Sequence, residues 1–268
     1  MSLAKQVIWI TGASSGIGEY LTYALAKRGA WLILSSRRKE ELERVKGNCP
    51  PEAQTHIRIL PLDLAQSSTL QLSAEAAIQL FGHIDILINN GGISQRSLAK
   101  ETSVEVDRKL MEVDYFGTVA LTKFLIPHFL KRQRGHYVTV SSVMGIIGTP
   151  YRSGYAAAKH ALHGFFDSLR AELWKESKNI HVTLICPGWI RTNVTYNALT
   201  GTGAALNQMD ASTDQGMPPE KFASQMIRAI EKKKREVFIG GRKELMGVYM
   251  QRWFPGIFAR IVRQATVR

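Results

Sequence analysis

Gln6-Val-Ile-Trp-Ile10 runs directly into Thr11-Gly-Ala-Ser-Ser-Gly-Ile-Gly18, and that turn into Glu19-Tyr-Leu-Thr-Tyr-Ala-Leu-Ala-Lys-Arg28. The first run is apolar and short, which suits a strand covered on both faces. The last is rich in helix formers. Between them Gly12 permits a tight turn, Gly16 lets the backbone approach a pyrophosphate, and Gly18 lets the helix pack close on the strand. Ser14, Ser15 and Ile17 belong to the same turn, where the free N–H groups of a helix start attract phosphate. Gly29-Ala30 ends the helix and Trp31-Leu-Ile-Leu34 supplies a second strand. Strand, glycine turn, helix and strand together make a dinucleotide-binding βαβ unit.

The alternation continues along the chain. Strand-like runs at Gln6–Ile10, Trp31–Leu34, His56–Leu60, Ile84–Ile88, His136–Val140, His181–Ile185 and Glu236–Ile239 are separated by helical stretches. They predict an α/β fold of the Rossmann type, a doubly wound parallel sheet of about seven strands with helices on both faces. The 268 residues, 45% of them hydrophobic, suit a single domain over 1–268. A Gly-rich polar stretch from Thr200 to Gly216 interrupts the pattern before Pro218-Pro219 opens another helix.

A second motif carries chemistry. Tyr155 and Lys159 stand four apart in Ser153-Gly-Tyr-Ala-Ala-Ala-Lys-His160, so a helix projects both from one face, and Ser142 lies thirteen residues before the tyrosine. An ammonium beside a phenol favours the phenolate, drawing its pKa down from about 10 toward the range where general acid catalysis works well. Tyr-x-x-x-Lys alone usually marks a packed tyrosine and a solvated lysine. Its occurrence behind a dinucleotide motif makes it a candidate catalytic pair.

Thr11-Gly-x-x-x-Gly-Ile-Gly18, Asn89-Asn-Gly-Gly92, Ser142, Tyr155-x-x-x-Lys159 and Pro187-Gly188, in that order, resemble the short-chain dehydrogenase/reductase family. Tyr115–Lys123, Tyr151–Tyr155, Phe165–Glu172 and Trp253–Gly256 are most similar to its member 7 and 7B branch. The resemblance implies a general acid/base role for Tyr155 and a hydrogen bond from Ser142 to the substrate carbonyl. To Lys159 it gives both a grip on the nicotinamide ribose and the lowering of the tyrosine pKa. It implies cofactor contacts at Asp63 and Leu64, at Asn90 and Gly91, and at Pro187, Gly188, Ile190 and Thr192. It also implies hydride transfer between nicotinamide and a carbonyl or alcohol carbon, a mobile substrate loop over 200–217, and homodimers or homotetramers built through the helices containing Tyr115 and Tyr155. One position departs from the family pattern: Asp114 stands where most members carry an asparagine of a proton relay. A carboxylate accepts hydrogen bonds there and favours a charged Lys159, but cannot donate unless protonated. Asp114 is read as part of the relay, with a structural helix contact as the alternative.

Cofactor choice is set at the end of the second strand, where an acid serves the ribose hydroxyls of NAD and positive charge the 2′-phosphate of NADP. The chain has Ser35-Ser36-Arg37-Arg38-Lys39. With no carboxylate at the acidic position and a guanidinium fork at Arg37, reinforced by Arg38, NADP(H) is favoured over NAD(H). Val143, Met144, Ile146 and Ile147 either line an apolar substrate pocket or fill the core. With the member 7 resemblance they suggest a lipophilic steroid, retinoid or lipid-derived carbonyl.

Cys49 and Cys186 are the only cysteines, without metal-ligand spacing, so neither a disulfide framework nor a metal site is expected, and a reducing cytoplasm fits. With the first strand a few residues from Met1, no signal peptide is expected, and no run approaches the roughly 20 apolar residues of a membrane span. The net charge is +13, and from Arg228 onward eleven basic residues face three acidic ones. In the basic extension 242–268, Trp253, Phe254, Ile257, Phe258, Ile261 and Val262 interleave with Arg252, Arg260 and Arg263. Such a segment either meets an anionic lipid surface peripherally or packs over the substrate pocket or a subunit interface. No nucleic-acid-binding signature accompanies the charge. The rival to an enzyme is a redox sensor that binds a dinucleotide without chemistry, which would not require Ser142, Tyr155 and Lys159 together.

Overall fold

Strands β1 Val7–Thr11, β2 Trp31–Ser35, β3 Ile57–Ile59, β4 Ile86–Asn89, β5 Gly135–Val140, β6 Ile180–Pro187 and β7 Glu236–Ile239 form one sheet. Their order is β3-β2-β1-β4-β5-β6-β7, and every neighbouring pair is parallel. The structure, a computed structural model, describes residues 2–264. Each strand-like run of the sequence forms one of these strands, its ends shifted by two residues or fewer. Helices connect them: α1 Gly16–Ala26, α2 Lys39–Gly47, α3 Pro51–Gln54, α4 Ser67–Phe81, α5 Val104–Met111, α6 Gly117–Arg132, α7 Ser153–Glu176, α8 Ala211–Asp214, α9 Pro219–Glu231, α10 Arg242–Trp253 and α11 Pro255–Arg263.

Both faces of the sheet are covered, which explains the unbroken apolar runs. Because successive side chains alternate across a strand, Ile8 and Ile10 enter one core with Leu21 and Leu25 of α1 and Phe222 and Met226 of α9. Val7 and Trp9 enter the other, with Leu121 and Leu125 of α6 and Phe166 of α7. The one polar atom of Trp9 is satisfied by Ser35, its Nε1 donating to the hydroxyl at 2.8 Å.

Asp85 fastens the entry to β4. Its carboxylate accepts from the Val7 amide at 2.9 Å and pairs with Arg132 at 2.8 Å, Arg134 at 3.1 Å and His83 at 3.2 Å. Burial opposes its charge, but the Val7 N–H and the Arg132 guanidinium outweigh that and hold its carboxyl below the usual range. A depressed carboxyl contributes stability above its unfolded pKa of about 3.9, lost as pH falls through the folded value. Asp85→Asn is therefore expected to destabilise the chain by about 2 kcal/mol at pH 7. In urea unfolding followed by circular dichroism, the gap from the parent chain should close toward pH 3.

The strand order reverses between β1 and β4, since β2 and β3 lie on one side of β1 and β5 to β7 beyond β4. Ligands of open α/β sheets bind at such a switch point, outside the carboxyl ends of the strands. The C-terminal segment is two helices, broken at Phe254 where Pro255 cannot continue α10. Val248 and Phe258 bury against Val143, Met144 and Ile147, so one face of the segment packs beside the loop after β5. The basic extension read from sequence as 242–268 runs past this, and residues 265–268 lie outside the described residues. Among the described residues no helix is long and apolar enough to cross a membrane.

Candidate active site

The glycine turn is tied to the loop after β4. Thr11 Oγ1 accepts from the Asn90 and Gly91 amides at 3.0 and 2.9 Å, while Asn90 Nδ2 donates to the Thr11 and Gly12 carbonyls at 3.0 and 3.2 Å. Gly12 adopts φ +66°, and a Cβ there would sit 2.7 Å from Gly91 Cα. A Cβ on Gly18 would strike the Gly12 carbonyl. No side-chain cap covers the first turn of α1, so its amides remain available to an anion.

Basic side chains border this turn. Arg38 Nη2 donates to Ser14 Oγ and Ser15 Oγ, both at 3.2 Å. Arg37 lines the same cavity, with an exposed side chain. Sequence reasoning put the guanidinium fork foremost on Arg37, whereas the structure turns Arg38 toward the glycine turn. Asp63 Oδ1 accepts from the Ala65 amide at 3.0 Å, so part of its carboxylate is spent on its own turn.

At the other side of the cleft α7 presents Tyr155 and Lys159 from one face, and Ser142 follows the end of β5. Ser142 Oγ accepts from the Met144 amide at 3.1 Å. Lys159 Nζ donates to the Val140 carbonyl at 3.3 Å, lies 3.4 Å from Asp114 Oδ2, and stands 5.6 Å from the Tyr155 ring centroid. Asp114 occupies a π-helical turn, Glu112–Phe116, between α5 and α6, the kind of irregularity that often marks functional sites. It is fully buried, and its Oδ1 accepts from the Ile93 amide at 2.7 Å. Burial pushes the Asp114 carboxyl up, only partly opposed by Lys159 and the Ile93 N–H. Burial disfavours the Lys159 ammonium, yet Asp114 and Tyr155 outweigh it and raise its pKa.

One cavity of about 560 Å³ joins both halves. Every residue assigned a cofactor or catalytic role from sequence lines it except Gly18, beneath the turn, and Asp114, behind Lys159. Pro187, Gly188, Ile190 and Thr192 bring the loop after β6 to the same cavity; a Cβ on Gly16 would lie 3.3 Å from the Thr192 side chain.

Several residues at this site carried no sequence signal. Gln95 Oε1 accepts from the Gly154 and Tyr155 amides at 2.9 and 3.3 Å and so fixes the first turn of α7. Arg96 reaches Asp210 at 3.0 Å and ties residues 200–217 over the cleft. These partners are joined across 59 or more residues, beyond any local spacing rule. His163, Cys186 and Glu236 bring potential metal-ligand atoms within 4.8 Å of one another. However, His163 already pairs with Ser141 and Glu236 at 2.9 and 3.2 Å, and burial pushes the Cys186 thiol far up, away from the thiolate a metal needs. Cys49, also free and buried, is pushed up to about 11 by burial.

Residues 6–202 match the short chain dehydrogenase family. The chain belongs to the short-chain dehydrogenase/reductase family. Within it, this reductase-family chain is 43% identical over 256 residues to human dehydrogenase/reductase SDR family member 7, covering 94% of this chain and 75% of the relative. It is 41% identical over 263 residues to mouse member 7B, covering 97% and 81%, which places it in the member 7 branch. A short-chain dehydrogenase/reductase from Burkholderia phymatum, solved with NAD, shares the fold at TM-score 0.84 and 20% identity, over 96% of both chains. An alcohol dehydrogenase from Thermococcus sibiricus, solved with 5-hydroxy-NADP, does so at 0.74 and 22%, over 88% of this chain and 97% of the other.

Proposed function

We propose that this chain is an NADP(H)-dependent oxidoreductase that interconverts a lipophilic ketone or aldehyde and its alcohol. The observation that carries the proposal is the placement of Tyr155, Lys159 and Ser142 in one cavity with the glycine turn. The residues fit a dinucleotide: the turn has room only for glycine at positions 12 and 18, and uncapped amides and the Arg38 guanidinium meet at its phosphate side. The bound nicotinamide supplies or accepts the hydride. Tyr155 gives its phenolic proton to the carbonyl oxygen, or takes it back from the alcohol. Ser142 hydrogen-bonds that oxygen, and Lys159, held charged by Asp114, stabilises the phenolate and reaches toward the ribose. Asp114 stands behind Lys159 as part of the proton relay, its Oδ2 3.4 Å from Nζ.

Turnover is tested by a panel of steroid, retinoid and lipid-derived carbonyls with NADPH, read by loss of its absorbance. Cofactor binding without turnover on any of them would point to a sensor instead. NADP(H) preference is supported by Arg38 and Arg37 beside Ser14 and Ser36, with a serine rather than a carboxylate at the position that follows β2. Arg38→Ala is expected to weaken NADPH binding about tenfold and leave NADH little changed, measured by fluorescence titration.

A homodimer or homotetramer through α6 and α7 is supported by Phe116, Phe124 and Trp174, large side chains 51, 36 and 60% exposed on that surface. Peripheral attachment to a membrane from the cytoplasmic side is supported by the outer face of α10 and α11. There Tyr249, Trp253, Phe254, Ile257 and Ile261 stay more than half exposed beside Arg252, Arg260 and Arg263. The chain is expected to sediment with anionic phosphatidylserine vesicles and much less with neutral phosphatidylcholine ones. Absence from both would remove the membrane contact.

A further inference from the structure

Arg152 is a buried cation with unspent donors. It is the residue before α7, three positions ahead of Tyr155, and its side chain is 3% exposed. Its Nε and Nη2 have no hydrogen-bond partner. Its Cζ lies over the Trp189 ring, 4.2 Å from the centroid, a cation–π contact that uses none of its N–H donors. Both residues line the cavity. Tyr151, immediately before it, holds φ +67°, a backbone conformation unfavourable for an aromatic residue and tolerated where surroundings enforce it.

The charges facing Arg152 do not neutralise it. Asp210 Oδ2 lies 3.7 Å from Nη2, too far for a hydrogen bond. That oxygen already accepts from Arg96 Nε and Nη2 at 3.2 and 3.0 Å and from Thr195 Oγ1 at 3.1 Å, and Oδ1 accepts from the Thr213 amide at 2.6 Å. Arg96 in turn is saturated by Asp210, Ser94, Gln95 and Thr195. Two guanidinium groups thus share one carboxylate, and one positive charge is left over. Burial, with Arg96 adding to it, lowers the Arg152 pKa to about 9, which still leaves the group charged at neutral pH. Buried charges are paired or strongly penalised. An anion entering the cavity would complete this set.

We infer that Arg152 binds an anionic group of the substrate, a carboxylate or phosphate, set a few bonds from the carbonyl that Tyr155 protonates. The inference rests on the proposed oxidoreductase reading and deepens it: the substrate is a lipophilic carbonyl compound with an acidic group. The spacing follows from the fold, since side chains three apart at a helix start lie about 5–6 Å from one another at Cβ. The cofactor phosphates do not compete for Arg152. The glycine turn and Arg38 belong to β1 and β2, whereas Arg152 opens α7 beyond β5 in the chain, and Trp189 follows β6 on the far side of the switch point.

Matched pairs test this. With saturating NADPH, the intact chain is assayed on 4-oxo-4-phenylbutanoate against its methyl ester, and on phenacyl phosphate against phenacyl acetate. Binding of all four to the NADP⁺-saturated protein is measured by calorimetry, which blocks the cofactor's own phosphate sites. At least one acid is expected to exceed its neutral partner by about tenfold or more, in kcat/KM or in affinity. Whichever acid wins identifies carboxylate or phosphate, and the ratio should fall toward one in Arg152→Gln. Equal handling of acid and neutral partner in both pairs, or failure of all four to bind, overturns the anion site. An acid that binds selectively but is never reduced keeps the anion site and removes the oxidoreductase reading. The comparison within the unaltered chain stands even if Arg152→Gln does not fold.

Discussion

Tyr155→Phe is expected to lower kcat by about two to four orders of magnitude, the usual contribution of a positioned general acid. The loss should be confined to chemistry. The Tyr155 side chain packs against two apolar clusters, one containing Val143, Met144 and Ala156 and the other Leu110 and Leu199, packing that phenylalanine reproduces. Gln95 holds the backbone of the same helical turn and is indifferent to the hydroxyl. NADPH affinity and the melting temperature should therefore stay close to those of the parent chain while turnover falls. Pre-steady-state absorbance of NADPH, with calorimetric melting on the same samples, separates the two quantities. Retained turnover would remove Tyr155 from the proton path.

Lys159→Met is the second large effect, and it acts on stability as well as on rate. The Lys159–Asp114 pair is almost wholly buried, and removing one member of such a pair costs about 3–5 kcal/mol when the other stays charged. Asp114 escapes part of that cost by taking up a proton, which makes the loss depend on pH. Its folded pKa is raised by burial above the unfolded value of about 3.9, so the folded state binds the extra proton and stability falls as pH rises through the folded pKa. In the parent chain Lys159 opposes that rise. In the variant only the Ile93 N–H does, and the destabilisation should grow as pH rises above the unfolded carboxyl value of about 3.9, by urea unfolding. Adding Asp114→Asn should recover most of the stability without restoring turnover. A pH-independent loss, or no recovery in the double variant, would show that the buried pair is not its cause.

The sheet was legible because its signals are local and redundant. Both faces of β1 are covered, so Val7 to Ile10 are all apolar; of the glycines that follow, Gly12 and Gly18 meet backbone that admits no larger residue and Gly16 holds φ +56°. Tyr155 and Lys159 were legible for the same reason, since helical spacing puts them on one face. The departure at Asp114 was visible in sequence, but its burial in a π-helical turn was not, because that turn depends on how α5 and α6 pack on the sheet. Arg37 and Arg38 both line the cavity, and which of them hydrogen-bonds the serines of the glycine turn is decided across 23 and 24 residues, beyond local spacing. Arg152 and Asp210 were invisible altogether: 58 residues separate them in the chain, and only the fold of residues 200–217 over the cleft brings them within 3.7 Å. The C-terminal segment combined two alternatives. Phe258 packs against the loop after β5 while Trp253 and Ile257 remain outside, since each of the two helices buries one face and exposes the other.

Hydride transfer itself is open to direct measurement. With NADPH deuterated at nicotinamide C4 on the transferred face, and the carbonyl compound reduced fastest in the panel, mass spectrometry of the alcohol should find one deuterium on the former carbonyl carbon. The label should appear at a rate that falls with Tyr155→Phe. A chain that binds the deuterated cofactor and yields no labelled alcohol from any carbonyl, with Ser142, Tyr155 and Lys159 intact, would contradict the account.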